Sequence, residues 1–200
     1  MLPYFYINMK RKYKFKENDE TDEEEDDTNI KVFGNTVYFY TEVSKKNILV
    51  LKEKLDEAAK NANESQFRKK IIFLHINSGG GCVYAGLSGL NLIKNYPCKI
   101  KTIADGFVAS AATLLFLAGS RRYITKFSHV LIHQLSTCFY GKFDELKDEV
   151  KNSSGLMEYF KTIYSETTNL SSKKIDEYLG KELCLTSSEC LKYGIAHKVK

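Results

Sequence analysis

Residues 71–81 read IIFLHINSGGG. Ile71 to Ile76 is a short, nearly continuous apolar run, the pattern of a strand buried on both faces of a parallel sheet. Asn77 to Gly81 then turns the chain into a helix expected over about Val83 to Asn95, which Pro97 stops. Upstream, Thr36 to Tyr40 (TVYFY) reads as a strand, and Lys46 to Ala62 sets Leu49, Leu51, Leu55 and Ala58 at broadly helical spacing. Downstream, a strand over Lys99 to Ala104 leads to a helix over Ala109 to Ala118, whose first turn (Ala109, Ser110, Ala111, Ala112) is made of small residues. Two short strands follow, Tyr123 to Thr125 and Val130 to Ile132. From Lys142 to Thr168, Phe143, Leu146, Val150, Met157, Phe160 and Tyr164 recur at steps of three, four and seven, an amphipathic helix with a soft spot at Ser153 to Gly155. Thr186 with Glu189 forms a capping box for a short helix that Gly194 closes, and a last strand runs through Val199. Strand and helix alternate throughout, so the fold class is α/β with a layered sheet.

At 200 residues with 43% hydrophobic composition, the chain suffices for one core and is too short for two ordinary domains. The formal charge of +5 comes from 30 basic and 25 acidic residues, with both signs dispersed over the body, which argues against a nucleic-acid partner. The five cysteines (Cys82, Cys98, Cys138, Cys184, Cys190) form no CxxC pair and have no metal-like histidine spacing, so neither a metal nor a cofactor is expected. Their odd number fits a reducing compartment, and a cytoplasmic location is expected. No apolar run reaches the roughly 18 residues of a membrane span, and Met1 to Lys16 lacks the apolar stretch of a signal peptide. Residues 17–27 (ENDETDEEEDD) contain no apolar side chain and cannot offset the entropy of ordering. The domain reading is a flexible acidic tail at 1–29 and one domain over 30–200.

A serine becomes a nucleophile with a base to take its proton, a group to orient that base, and donors for the oxyanion that forms. Ser110 stands where a strand meets a helix among small neighbours, so its hydroxyl is unshielded. His133 follows the strand Val130 to Ile132, where an imidazole emerges at a strand end. The NSGGG turn offers backbone N–H groups that a carbonyl can approach with no Cβ in the way. It matches neither G-x-x-x-x-G-K-[ST] nor G-x-G-x-x-G, which argues against a phosphate loop. His75 is expected to be buried and hydrogen bonded within its strand, and His129 and His197 to lie at the surface or in turns. A cap, a structural histidine and a plain turn are the ordinary readings of these three features taken singly.

Together they carry a resemblance. INSGGG (residues 76–81) is similar to INSPGG of the ClpP family, with Gly79 in place of proline, and GFVASAAT (106–113) to its G-x-A-A-S-M-G nucleophile segment. LIHQ (131–134) is similar to MIHQ, and LTSSECLKYGIAHKV (185–199) to the closing L-S-A-x-E-A-x-E-Y-G-L-V-D. The four matches stand in order over about residues 36–200. The resemblance implies a ClpP/crotonase-like spiral of repeated strand and helix units, with a protruding handle helix at Phe143 to Tyr164. It also implies a serine endopeptidase acting on peptides or unfolded proteins through an acyl-enzyme. Ser110 is then nucleophile, His133 base, the N–H groups of Gly81 and Ala111 the oxyanion hole, and Gly80, Gln134 and Leu135 contact substrate. Counting back from Leu185 puts Glu182 where the family has the aspartate of its triad.

The handle implies a homo-oligomeric ring, a heptamer or double heptamer. The family's N-terminal segment, which contacts an ATP-driven AAA+ unfoldase, has no match in the acidic tail, and this argues against strict dependence on such a partner. The missing aspartate and the altered strand after Gln134 favour one rival, a ClpP-like subunit that builds rings or binds without catalysis. An acyl-CoA enzyme of the crotonase class is the other, and the Ser110/His133 pair counts against it.

Overall fold

The computed structural model describes residues 29–64 and 71–200. The acidic block, and with it the tail expected at 1–29 save Asn29, lies outside the described residues. Strands β1 (Ile30–Phe33) and β2 (Thr36–Phe39) form an antiparallel hairpin on the two-residue turn Gly34-Asn35. Gly34 takes its left-handed position at φ +58°. Helix α1 (Lys45–Glu64) follows, burying Ile48, Leu51, Leu55 and Ala58 on one stripe.

Strand β3 (Ile71–Ser78) pairs in parallel with β2 and with β4 (Lys99–Ala109), and helix α2 (Val83–Lys94) makes the crossover. The apolar run of β3 is not buried on both faces. Ile72, Leu74 and Ile76 are fully buried beneath the helices, whereas Ile71, Phe73 and His75 are only partly buried on the opposite side, which no helix among the described residues covers. A continuous apolar run therefore arises here from one core face and a second face of Ile71, Phe73 and His75.

Helix α3 (Ala112–Leu117) is buried along its whole length, and each of its large side chains contributes about 1.5–3 kcal/mol by leaving water. β5 (Arg121–Ile124), β6 (His129–Leu131), the 25-residue α4 (Phe143–Thr167), α5 (Ser172–Leu179), β7 (Cys184–Thr186), α6 (Ser187–Lys192) and β8 (Lys198–Val199) complete the chain. The sheet order is β1-β2-β3-β4-β5-β8, with β6 beside β4 and β7 beside β6.

β4 serves two neighbours in succession. Lys101 to Ala104 pair with β5, and Phe107 to Ala109 pair with β6. Between them the β3–β4 register shifts, with Ile76 opposite Ala104 but Ser78 opposite Val108, and Gly106 takes φ +87°. Side chains replace the missing ladder bonds there: Gly106 N–H donates to Ser128 Oγ at 2.6 Å and Phe107 N–H to Asn77 Oδ1 at 3.3 Å. The strand is thus steered toward Ser110.

α4 runs unbroken through Ser153 to Gly155, the expected soft spot, where Ser154 Oγ donates to Val150 O. Phe160 and Tyr164 reach the core, while Phe143 and Val150 are 72% and 67% exposed, so the first half of the helix stands clear of the body. The amphipathic stripe serves two environments. Among the described residues no helix is long and apolar enough to cross a membrane.

Candidate active site

Ser110 occupies the single residue position between the end of β4 and Ala111, the cap of α3. It lies outside the helix whose first turn the sequence suggested, and its φ of +54° is the one positive value on a non-glycine residue among those described. A left-handed serine costs on the order of 1–3 kcal/mol and persists where its surroundings over-determine it. Here its N–H donates to Leu131 O at 3.0 Å, continuing the β4–β6 ladder, while its own C=O accepts from the Thr113 N–H at 2.9 Å and the Thr113 hydroxyl at 2.6 Å. The backbone is pinned from both sides, and the Cβ is pushed out of the corner.

The glycine turn packs directly on that corner. Gly80 is buried with φ +97°, and a Cβ on it would stand 2.6 Å from Ser110 Cβ and 2.8 Å from Ala109 O. Gly81 (φ +142°) bridges to Val43: Val43 N–H donates to Gly80 O and Cys82 N–H to Val43 O, both at 2.7 Å. A Cβ on Gly81 would collide with Val43 O. Both glycines are required by close approach and by φ together. This pattern occupies the N–H groups on either side of Gly81 and leaves the N–H of Gly81, like that of Ala111, without an acceptor among the described residues.

His133 lies two residues past β6 and lines the same cleft as Ser110. No hydrogen bond links the Ser110 hydroxyl to the imidazole in this arrangement. His133 Nδ1 is 3.9 Å from Glu182 Oε1, an ion-pair distance beyond hydrogen-bond reach, and the Glu182 side chain is 70% exposed on the loop between α5 and β7. Asp176, the other acid near that place in sequence, faces away and pairs with Lys161 at 3.0 Å, bridging α5 to α4.

The cleft has a volume of about 500 Å³ including its open mouth. Ser110, His133, Gly81 and Ala111 stand on its rim with Gln134 and Leu135, and Val83, Leu114, Phe160 and Tyr164 form an apolar end. The Tyr164 hydroxyl shares a 2.8 Å hydrogen bond with Thr113, and full burial pushes it up to about 12, so it stays neutral. Gln134 N–H donates to Leu179 O at 2.9 Å and Leu135 N–H contacts Met157 Sδ at 3.3 Å, and residues 132–142 form no strand. Of the residues expected to contact substrate, Gln134 and Leu135 line the cleft, while Gly80 lies beneath it against Ser110.

A second constellation lies on the uncovered sheet face. His75 Nδ1 is 2.9 Å from Asp105 Oδ2, which also accepts from the Tyr40 hydroxyl at 2.6 Å, and the imidazole stacks on Tyr38 at 4.8 Å. Burial works to raise the Asp105 carboxyl, but the bonds from Tyr40 and His75 and the nearby Lys200 hold it below the usual carboxylate range. His75 is hydrogen bonded as expected and, with its side chain 12% exposed, nearly buried. His129 and His197 are exposed as expected, and His197 Nδ1 accepts from Arg122 N–H at 2.9 Å. Sequence reading missed Val43 and Leu131, whose backbones hold the glycine turn and Ser110. No residue-type signal marks a carbonyl.

The geometry of a serine corner, a glycine turn and a histidine in one cleft agrees with what the comparisons find. The profile of the Clp protease family, a family of serine proteases, matches residues 34–200. The chain is 32% identical over 133 residues to the ATP-dependent Clp protease proteolytic subunit 2 of Borreliella burgdorferi, covering 66% of this chain and 67% of that protein. Among solved structures, a mutant of ClpP1 from Listeria monocytogenes matches with a TM-score of 0.72 at 25% identity, over 84% of this chain and 91% of that one. The chain belongs to the Clp protease family and has the ClpP fold.

Proposed function

We propose that this protein hydrolyses peptide bonds with Ser110 as nucleophile, His133 as general base, Glu182 as the carboxylate that orients His133, and the N–H groups of Gly81 and Ala111 as oxyanion donors. The observation that carries this reading is the left-handed Ser110 corner, pinned by Leu131 O and packed against Gly80 inside the cleft that His133 lines. Strand pairing and packing hold the strain at that one position, and in this reading it serves to present a hydroxyl to the cleft. Ser110 Oγ attacks the carbonyl carbon while His133 takes the hydroxyl proton, and the oxygen gathering charge is met by two N–H groups that hold no other acceptor. Collapse breaks the C–N bond as His133 hands the proton to the leaving amine, and water then releases the acid from the acyl-enzyme by the same steps. The apolar end of the cleft, closed by Phe160 and Tyr164, suits an apolar side chain beside the scissile bond.

A binding or ring-building subunit without turnover is the second reading, favoured by the missing Ser110–His133 hydrogen bond and the 3.9 Å gap to Glu182. We favour catalysis because serine–histidine contacts lengthen in unliganded sites and tighten with substrate. A fluorophosphonate probe decides between them. Labelling that disappears in Ser110→Ala supports an activated serine, and an unlabelled full chain overturns it.

The exposed first half of α4, carrying Phe143, Leu146 and Val150, supports assembly into a homo-oligomeric ring, heptamer or double heptamer, and light scattering at micromolar concentration tests it. The remaining parts of the reading are a tail at 1–29 dispensable for the fold of 30–200, polypeptide substrates cleaved without strict need of an ATP-driven unfoldase, and a cytoplasmic location.

A further inference from the structure

We propose that Thr113 and Tyr164 are positioning residues that aim and polarise the Ala111 N–H, and so set the strength of the oxyanion hole; this rests on the catalytic reading above. Three oxygens stand in a chain. Thr113 Oγ1 lies 2.6 Å from Ser110 O and 2.8 Å from Tyr164 Oη. A carbonyl oxygen can only accept, so the single proton of the threonine hydroxyl goes to Ser110 O, and the Tyr164 hydroxyl must donate to Thr113 Oγ1. Both bonds are thereby given a direction, from phenol to threonine and from threonine to the Ser110 carbonyl. Thr113 and Tyr164 are buried, which keeps bulk water from competing for either bond.

The carbonyl that ends this chain belongs to the same peptide unit as the Ala111 N–H. That unit is planar and trans, with no cis bond among the described residues, so its C=O and its N–H point in opposite directions. Holding the carbonyl against α3 therefore turns the N–H away from the helix, toward the cleft that Ser110 and Ala111 line. The Thr113 N–H adds a second bond to the same oxygen at 2.9 Å. Ser110 is the strained residue of the corner, at φ +54°, and relaxation of its backbone would swing this peptide first. Each bond that the carbonyl accepts also draws electron density from the amide and leaves its N–H a stronger donor, by about 10–30% per bond in a chain. Tyr164 has a second role in the same place. Its ring closes the apolar end of the cleft, so a substrate side chain seated there packs on the residue that anchors the relay.

Steady-state hydrolysis of a fluorogenic peptide by the full chain, with kcat taken per folded chain, tests this beside urea unfolding. Thr113→Val keeps the shape and removes the hydroxyl. We expect kcat to fall about tenfold to thirtyfold with KM within about twofold, a fraction of the roughly 10²–10³ that outright loss of an oxyanion donor costs. Tyr164→Phe leaves the Thr113 bond to Ser110 O in place and should cost about threefold to fivefold. Thr113→Ser, which restores the hydroxyl, should recover most of the rate lost in Thr113→Val. The decisive variant joins Thr113→Val to Tyr164→Phe. Thr113→Val alone leaves a buried phenol without an acceptor and should lower the urea midpoint by about 1 M, whereas removing both partners should return most of that loss. The kcat of the double variant should nevertheless stay at the level of Thr113→Val. If its kcat recovers along with its stability, the pair is structural and the proposal is overturned, as it is by a Thr113→Val chain that keeps wild-type kcat or changes in KM alone. A wild-type chain that neither hydrolyses peptide nor takes a fluorophosphonate label overturns the catalytic reading, and this proposal with it.

Discussion

His75 and His133 each face a carboxylate, the first 2.9 Å from Asp105 on the outer sheet face and the second 3.9 Å from Glu182 at the cleft. By distance and burial the Asp105 pair is the better made: its side chains are 12% and 31% exposed, against 20% and 70%. Yet the free nitrogen of His75 meets Lys200 Nζ at 3.5 Å and a stacked tyrosine, with no hydroxyl to activate, whereas His133 shares a cleft with a strained serine and two unoccupied N–H groups. A histidine–carboxylate pair is therefore a poor marker of chemistry taken alone. Backbone conformation at Ser110, the proposed nucleophile, separates the two, because a left-handed serine persists only where its surroundings over-determine it.

The comparison breaks most visibly at Ser110. Ser110→Ala is expected to lower hydrolysis of a fluorogenic peptide by about 10⁴-fold or more, with His133→Ala equally damaging and the double variant no worse, since members of one catalytic unit are not additive. His75→Ala in the same assay should stay within about a factor of two, as distant sites act independently. If His75→Ala loses as much as His133→Ala, the two pairs have been assigned the wrong roles.

A second test separates the corner from the side chain it presents. Gly80→Ala puts a Cβ 2.6 Å from Ser110 Cβ at φ +97°, so the turn or the serine must move. We expect a loss of about 2–3 kcal/mol in urea unfolding, with fluorophosphonate labelling reduced beyond what the unfolded fraction explains. Gly79→Ala, with nothing within 4 Å of the added methyl and no positive φ, is the control and should be near neutral. Equal costs at the two positions would remove the argument that Gly80 shapes the site.

Glu182 has a smaller expected effect. A 70%-exposed carboxylate 3.9 Å from the ring would orient it only weakly, so Glu182→Gln should cost about tenfold in kcat with KM little changed. A loss near 10⁴ would mean that the pair tightens to a buried hydrogen bond in the working state. Unchanged kcat would leave a Ser110/His133 dyad.

Much of the architecture was legible because helices and long strands announce themselves by period. α1, α2 and α4 stand within a residue or two of their expected bounds. β1 and β7 were passed over although β2 and β6, equally short, were read, and α5 was passed over although Ser171 caps it, its Oγ accepting from Lys174 N–H at 3.3 Å. The helix expected from Ala109 begins at Ala112 because strand pairing to β6 extends β4 and forces the turn at Ser110, a tertiary constraint that small residues permit but do not encode. Three of the four ordered segments hold cleft members, Gly81, Ser110, Ala111, His133 and Gln134, while the segment 185–199 lies outside the cleft. Their mutual geometry depends on Val43 O, Leu131 O and the register shift at Gly106, which are backbone features without a residue signature.

The smallest effect belongs to the outer pair and sharpens the contrast from the other side, because Asp105 should act on stability alone. Its carboxyl is held below the ordinary value of about 3.9, as the bonds from Tyr40 and His75 favour the charged form more than partial burial opposes it. A carboxyl depressed in the folded state contributes stability that is fully present above its unfolded value and is lost as pH falls through the folded one. Wild type minus Asp105→Asn, compared by urea unfolding, should therefore be positive and flat above about pH 5 and shrink below about pH 4. With the side chain about a third exposed, the plateau is expected to be about 1 kcal/mol or less. A difference constant down to about pH 3 would mean that the variant loses hydrogen-bond geometry rather than a charge, and one that grows in acid would reverse the assigned direction. Peptide hydrolysis at neutral pH should not respond to this substitution, and a loss there comparable to that of Glu182→Gln would make the outer pair part of the catalytic apparatus after all.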